Sequence, residues 1–201
     1  MKKIVLLTLL FTSFCFTNAQ ENQNTINVYG VHGYTISPNY KASMLVSMNN
    51  VYYDAQTFTL PEILSTYKDK LAKVGINTAN LKEDAMGYAL YGYDKDGTII
   101  KYTTNSADDL QKFLSVRSVG VTKSDTTMEF KLTRAQMADY AGKALEDAKN
   151  RAEALAGKMG RQIGKVVYLS DTNYEKFSES LYYGNINNER EYRINVSFEL
   201  K

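Results

Sequence analysis

The sequence of 201 residues has few of the side chains that bind metals or react covalently with substrates. It contains one cysteine, one histidine and no tryptophan. Cys15 lies in an apolar run near the N-terminus, so the chain after it has no thiol for a disulfide, a nucleophile or a zinc site. His32 stands between Val31 and Gly33, which is typical of a turn or a strand edge and provides no cluster of metal ligands. We therefore expect neither a metal nor a cofactor.

The sequence also lacks an excess of one charge. Its 24 lysine and arginine residues exceed its 22 aspartate and glutamate residues by two, and Lys2 and Lys3 account for that difference. The rest of the chain is formally neutral. A neutral chain has no broad basic surface that would attract nucleic acid or an anionic membrane, so we expect neither as a partner.

Long apolar runs are absent outside the N-terminus, which has the three parts of a secretory signal peptide. These parts are the segment 1–3, which carries Lys2 and Lys3, the thirteen uncharged residues 4–16 and the small-residue ending 17–19. Thirteen helical residues extend about 20 Å, which is less than the roughly 30 Å of a hydrocarbon core. We therefore predict cleavage after Ala19, with residues 20–25 as a flexible lead-in, and export to the periplasm or out of the cell. The alternative is a retained N-terminal anchor.

Alternation of apolar and polar residues predicts strands along most of the remaining chain. The predicted strands are residues 26–29, 42–48, 86–93, 98–104, 128–132, 166–169 and 192–200. The segment 94–97 (DKDG) indicates a hairpin between two of them, with Gly97 at a positive φ. The polar stretch 171–189 is predicted to be a loop.

Capping sequences predict three helices, which begin after Thr59, Ser106 and Thr133. Gly75 is expected to end the first helix. The apolar positions expected to face the core are Ile63, Leu64, Tyr67, Leu71 and Val74 in the first helix, and Leu110, Phe113 and Leu114 in the second.

The third predicted helix is the longest, and its apolar positions form an alanine-rich stripe. They are separated by alternating steps of three and four residues: Ala138, Ala141, Leu145, Ala148, Ala152, Leu155 and Met159. A coiled-coil seam is the alternative, but the stripe is short for one, so we expect it to pack against the protein's own sheet. Gly160 is expected to end the helix.

The order of elements mixes hairpins with helices, which favours the α+β class over a doubly wound parallel sheet. We expect mixed or antiparallel sheets packed against one long alanine-rich helix and two shorter helices. Residues 26–201 have the length of one domain, or of two small lobes.

Several local sequences resemble those of one family. The segment 144–156 (ALEDAKNRAEALA) is followed by 159–167 (MGRQIGKVV), which joins an alanine-rich helix to a strand through a glycine. Near the start, INVYG at 26–30 is followed by Pro38. Together these features resemble the SIMPL-domain family, which includes periplasmic immunogenic and oxidative-stress proteins of bacteria. The resemblance covers residues 25–200.

The resemblance implies an exported α+β protein that works without catalysis. It implies oligomeric assembly or contact with another envelope protein, and a link to envelope or oxidative stress. The matching residues are packing and turn positions, so the resemblance assigns no catalytic residue. The expected contact surfaces are exposed sheet edges and the loop 171–189, in which Tyr182, Tyr183 and Asn185 are the candidate contact residues.

Two alternative functions follow from other features. The sixteen tyrosines, several of them grouped in 88–93 and 182–183, are compatible with a small-ligand or peptide binder that has a tyrosine-lined cleft. Ser65 and Lys68 match the S-x-x-K motif of penicillin-binding enzymes, which is a remote indication of an envelope hydrolase. The companion motifs S-D-N and K-T-G are absent from the sequence.

Overall fold

The computed structural model describes residues 24–51, 58–181 and 186–201. Over these residues the predicted α+β class is confirmed. The helices are α1 (Leu60–Lys73), α2 (Ala85–Ala89), α3 (Ala107–Ser115) and α4 (Arg134–Lys158). The strands are β1 (Thr25–Thr35), β2 (Asn39–Ser47), β3 (Lys82–Asp84), β4 (Gly97–Thr104), β5 (Val121–Lys131), β6 (Ile163–Asp171), β7 (Lys176–Ser180) and β8 (Glu189–Leu200).

The described chain divides into two compact units. The three-stranded unit comprises residues 24–32, 140–173 and 192–201. The five-stranded unit comprises residues 33–51, 58–139, 174–181 and 186–191. The elements β1, α4 and β8 each contribute residues to both units.

The three-stranded unit contains a sheet of order β1-β8-β6. Strand β8 has the predicted alternation, because every second residue from Tyr192 to Leu200 is buried. A buried row of alanines runs along α4 at four-residue steps: Ala144, Ala148, Ala152 and Ala156. Strand β1 lies close to this row, since a Cβ atom added at Gly30 would overlap the carbonyl oxygen of Ala144.

The prediction of the buried stripe on α4 is only partly right. Ala148 and Ala152 are buried as expected, but Leu155 and Met159 are exposed. At Ala144 and Ala148 the close approach of β1 leaves room for alanine but not for a larger side chain. Hydrophobicity therefore pointed to one face of the helix, whereas side-chain size decided which face was buried.

The five-stranded unit contains a sheet of order β3-β4-β2-β5-β7, in which every neighbouring pair is antiparallel. The central strand β2 is buried on both faces over 44–47. On one face, Tyr102 of β4 stacks on Phe113 of α3, with ring centroids 5.0 Å apart. On the other face, Tyr88 of α2 packs in a cluster with Leu45 and Ile99.

The predicted helix starts are confirmed. Thr59 and Glu62 form a capping box at α1, and the Ser106 hydroxyl accepts a hydrogen bond from Asp109 N at α3. At α4, Gln136 N donates to the Thr133 hydroxyl at 3.2 Å. The glycines Gly75 and Gly160 follow α1 and α4 with φ of 88° and 70°, as expected of helix-ending residues.

The predicted hairpin around 94–97 is wrong. Residues 85–89 form α2, and the strand that pairs with β4 on this side is the earlier segment β3. Asp84 explains the helix, because its side chain accepts a hydrogen bond from Gly87 N at 2.6 Å and caps the N-terminus. Gly97 does not have a positive φ; it begins β4 where the Tyr88 ring leaves no space for a Cβ atom.

The predicted loop 171–189 contains a strand, β7, which pairs with the edge of β5. Its sequence KFSES gives no buried face, and all five residues are exposed. The strand is therefore held by backbone hydrogen bonds and by its neighbours rather than by an apolar pattern. Leu181, which follows β7, is buried, and its N–H donates to Thr126 O at 2.8 Å.

Candidate functional site

An exposed apolar surface of the three-stranded unit lies on strand β6. This strand stands at one edge of the sheet and pairs with β8 alone. Four consecutive apolar residues, Val166, Val167, Tyr168 and Leu169, are between 42% and 56% exposed. We call these four residues the β6 surface. A strand that covers a core on one side buries every second residue, so exposure of four in a row is unusual.

Irregular pairing contributes to this exposure. The register between β6 and β8 shifts between Ile163 and Val166, and again between Val166 and Tyr168. Val166 pairs with Phe198 and Leu169 pairs with Val196, both of which are buried. Cross-strand partners share a face of the sheet. Val166 and Leu169 therefore extend the apolar face of β8 outward to the sheet edge.

The N-terminal end of β6 is held in place by backbone hydrogen bonds. Just before the strand, Gln162 and Lys201 exchange two backbone hydrogen bonds of 3.1 Å and 2.8 Å. The neighbouring Arg161 guanidinium donates to Leu200 O at 3.0 Å. These contacts fix the start of β6 against the end of β8.

The C-terminal end of β6 is held by Asp171. Its carboxylate accepts hydrogen bonds from the Tyr192 hydroxyl at 2.5 Å and from Asn173 N at 2.9 Å. Burial raises the pKa of Asp171, but the hydrogen bonds from Tyr192 and from the Asn173 backbone and side chain together hold it below its usual value. Asp171 is therefore an ionised acceptor near neutral pH. The β6 surface thus lies on a strand that is anchored at both ends.

An anchored edge strand can pair with a further strand. Its outer edge carries backbone N–H and C=O groups without a neighbouring strand in the described sheet. A strand added there gains backbone hydrogen bonds, and its side chains cover the exposed apolar ones. The arrangement is therefore suited to binding another extended segment.

A second exposed apolar surface lies in the five-stranded unit, on and after α2. We call Met86, Leu90, Tyr91 and Tyr93 the tyrosine surface; all four are exposed. The rings of Tyr91 and Tyr93 stack with centroids 5.8 Å apart and planes inclined by 7°. Leu90 and Tyr91 line a groove of about 350 Å³.

Comparison with known proteins decides the family. Residues 23–198 match the model of the SIMPL family, which is described as a protein of unknown function (DUF541). The chain belongs to the SIMPL family. The predicted resemblance is confirmed over nearly the whole length of the sequence. No curated protein matches this SIMPL chain.

The candidate contact residues Tyr182, Tyr183 and Asn185 lie outside the described residues. So does the predicted signal peptide of the SIMPL chain. The β6 surface was predicted as a strand but not as an exposed edge. The signal available in the sequence was the unbroken apolar run 166–169, which does not alternate.

The remaining candidate residues of the SIMPL chain lie on two separate elements, α1 and β1. Ser65 is exposed on α1, and the Lys68 ammonium makes an ion pair of 2.6 Å with Glu83 on β3. The His32 ring lies in β1, with its centroid 5.2 Å from that of Tyr140. Within the described ranges, no three histidine, cysteine or acidic side chains are grouped as metal ligands. None of the helices in these ranges is both long and apolar enough to cross a membrane.

Proposed function

We propose that this SIMPL protein is a non-enzymatic protein of the cell envelope that assembles with copies of itself through β6. The observation that carries the proposal is the β6 surface, in which four consecutive apolar residues are exposed on an edge strand that is anchored at both ends. Location in the envelope rests on the signal peptide predicted from the sequence.

Pairing of β6 with β6 of a second copy provides both hydrogen-bond partners for the strand edge and cover for its apolar side chains. Antiparallel pairing about a two-fold axis places the same strand of each copy side by side, which is the simplest closed arrangement. It supplies hydrogen-bond partners for the outer edge and covers Val166 to Leu169 with the same residues of the other copy. A stable interface buries roughly 800 Å² on each partner, so side chains beyond β6 contribute as well.

The exposed residues Leu155, in the last turn of α4, and Met159, which directly follows that helix, are candidates for that additional area. A charged side chain on an edge strand normally protects it from pairing with a strand of another chain. The run 166–169 contains no charged residue, and the nearest one in β6 is Lys165.

The absence of catalysis is part of the proposal. The support is that the Lys68 side chain, whose neutral amine would have to accept the Ser65 proton in an S-x-x-K enzyme, makes an ion pair with the Glu83 carboxylate instead. The contact uses the charged ammonium, which has no lone pair to accept a proton. Covalent labelling with a serine-directed β-lactam probe tests this part, and we expect Ser65 to stay unlabelled.

Cross-linking through single cysteines tests the interface. We would replace Cys15 by serine and introduce Tyr168→Cys in the β6 surface, with Leu90→Cys as the matched control. Leu90 is 83% exposed and lies in the other unit, so its thiol reacts equally well with a short bis-maleimide. We expect a covalent dimer from Tyr168→Cys and none from Leu90→Cys. Equal dimer yields, or no dimer from either, would contradict assembly through β6.

A second candidate function is peptide or small-ligand binding at the tyrosine surface. The observation that favours it is the stacked pair Tyr91 and Tyr93, since exposed tyrosines with methionine and leucine are typical of contact surfaces. Capture of an envelope peptide by the purified protein, abolished by Tyr91→Ala but unchanged by Tyr168→Ala, would favour this function. The reverse pattern would favour β6.

A further inference from the structure

A cavity in the five-stranded unit has a composition that fits a ligand. It has a volume of about 460 Å³ and lies between α3 and β5. Its apolar wall is formed by Leu110, Leu114, Leu181 and Ile186. Two residues of β5, Lys123 and Thr126, supply polar groups to the same cavity. An apolar wall with a few convergent polar groups is the usual composition of a small-molecule site.

Thr126 is the first sign that a polar ligand group belongs in the cavity. The residue is 4% exposed, and its hydroxyl has no hydrogen-bond partner among the described residues. Its position on β5 alternates with the buried Met128 and Phe130, so an apolar residue would be expected there. A buried hydroxyl without a partner destabilises the fold, unless something else forms the hydrogen bond.

The second sign is a β-bulge that changes the direction of Lys123. Ala42 of β2 pairs with Thr126 of β5, and Met44 of β2 pairs with Lys123. Ser124 and Asp125 therefore both lie opposite the single residue Ser43. Ala42 and Met44 are two residues apart and share a face of the sheet. Their partners therefore share that face too, although strict alternation would place residues 123 and 126 on opposite faces. The bulge thus brings the Lys123 ammonium to the side of the sheet that carries Thr126.

We propose that this cavity binds a small amphipathic monocarboxylate, a molecule with one carboxylate and an apolar body of roughly eight carbons. The carboxylate lies at Lys123 and accepts a hydrogen bond from the Thr126 hydroxyl. The apolar body packs against the aliphatic side chains of α3, Leu181 and Ile186. The volume of about 460 Å³ falls in the lower part of the range of roughly 300–1,000 Å³ for small-molecule sites.

Two acidic groups restrict the charge of the ligand. Asp108 of α3 also lines the cavity, and Asp125 lines a groove that shares Lys123 and Thr126 with it. Lys123 is the one lysine or arginine among the residues that line the cavity and the groove. A ligand with two negative charges, such as a dicarboxylate or a phosphate monoester, is therefore disfavoured relative to one with a single carboxylate. This site shares no residue with the β6 surface.

Calorimetric titration of the purified protein with octanoate, and with 1-octanol as the uncharged molecule of equal chain length, tests the proposal. We expect octanoate to bind at least about tenfold more tightly than octanol, because only the carboxylate carries the charge that attracts the Lys123 ammonium. Lys123→Gln and Thr126→Val should each weaken octanoate about tenfold, and Lys123→Gln should leave octanol unchanged. Thr126→Val replaces an unpartnered hydroxyl by a methyl group of similar size, so this variant is expected to fold.

The matched control is Lys112→Gln. Lys112 lies on the same helix α3 and pairs with Asp109 at 3.5 Å, but it is not a cavity residue. We expect this variant to bind octanoate as the unchanged protein does. Absence of octanoate binding at millimolar concentration would overturn the proposal. So would equal binding of octanoate and octanol, or equal weakening by Lys112→Gln and Lys123→Gln.

Discussion

Gly30 of β1 lies against Ala144 of α4 so closely that the backbone of the strand touches the backbone of the helix. A Cβ atom at residue 30 would overlap the Ala144 carbonyl oxygen and would lie 2.8 Å from the Ala148 Cβ. The contact explains two features of the sequence together. Glycine is required at residue 30, and the helix needs small residues where β1 crosses it.

Gly30→Ala should therefore destabilise the protein strongly. The added methyl group has no space, and the atom that it meets belongs to the helix backbone, which cannot rotate away. We expect the free energy of unfolding to fall by about 2 kcal/mol or more, measured by urea denaturation.

Gly33→Ala is the matched control in the same strand. A Cβ atom at residue 33 meets nothing within 4 Å. We expect this change to leave stability unchanged, or to raise it by up to about 1 kcal/mol through the lower entropy of the unfolded chain. Similar losses of stability for the two substitutions would show that the close contact at Gly30 is not what matters.

The long helix shows how far the sequence predicts packing. Its start at Thr133 and its end near Gly160 follow from capping residues, and both predictions are confirmed. The buried face does not follow from hydrophobicity, which favours Leu155 and Met159. At Ala144 and Ala148 small residues are required by contact with Gly30, more than a hundred positions earlier, and a contact of that kind is not visible in the local pattern.

Helix α2 and strand β7 were not predicted from the sequence, for different reasons. The segment 86–93 has tyrosines that favour strands, but the cap supplied by Asp84 makes its first part a helix. Strand β7 has no apolar pattern because all its residues are exposed. The same limit applies to the candidate site: the run 166–169 predicts a strand, whereas its place at the sheet edge depends on the strand order.

Two buried tyrosines should respond in opposite ways to loss of their hydroxyl groups. The Tyr67 hydroxyl is buried without a hydrogen-bond partner among the described residues, and burial raises the pKa of Tyr67 above its usual value. The Tyr88 hydroxyl forms a hydrogen bond with the Ser47 hydroxyl at 2.6 Å and donates to Lys95 O at 2.8 Å.

Tyr67→Phe should raise the free energy of unfolding by about 1 kcal/mol, because it removes an unsatisfied buried group. Tyr88→Phe should lower it by about 1–2 kcal/mol, because the Ser47 hydroxyl and the Lys95 carbonyl lose their partner. Urea denaturation of both variants measures the two effects. Destabilisation by Tyr67→Phe would indicate that its hydroxyl has a partner after all.

Stability should fall in acid partly through Asp171. Its folded-state pKa is below the usual value of 3.8, so its contribution is fully present above that value and is lost as the pH falls through the folded pKa. We expect Asp171→Asn to be less stable than the unchanged protein at pH 6, and the deficit to be smaller at pH 3. The difference at pH 6 should be less than about 1 kcal/mol, because water screens the partly exposed carboxylate.

Asp69→Asn provides the control for this pH dependence. Asp69 is exposed on α1, and no hydrogen bond or ion pair joins its carboxylate to another described residue. We expect its effect on the free energy of unfolding to be small at both pH values. A deficit of Asp171→Asn that persists unchanged at pH 3 would mean that the carboxylate charge is not responsible.

The native mass of the protein in solution tests most directly whether β6 is the contact between copies. Light scattering after size exclusion would be measured for the unchanged protein, for Val167→Lys/Leu169→Lys and for the control Leu90→Lys. All three positions are exposed, so the substitutions should not disturb folding. We predict a discrete assembly for the unchanged protein and for Leu90→Lys, and a monomer for the β6 variant. A monomeric unchanged protein, or an assembly that survives both lysines in β6, would contradict the account.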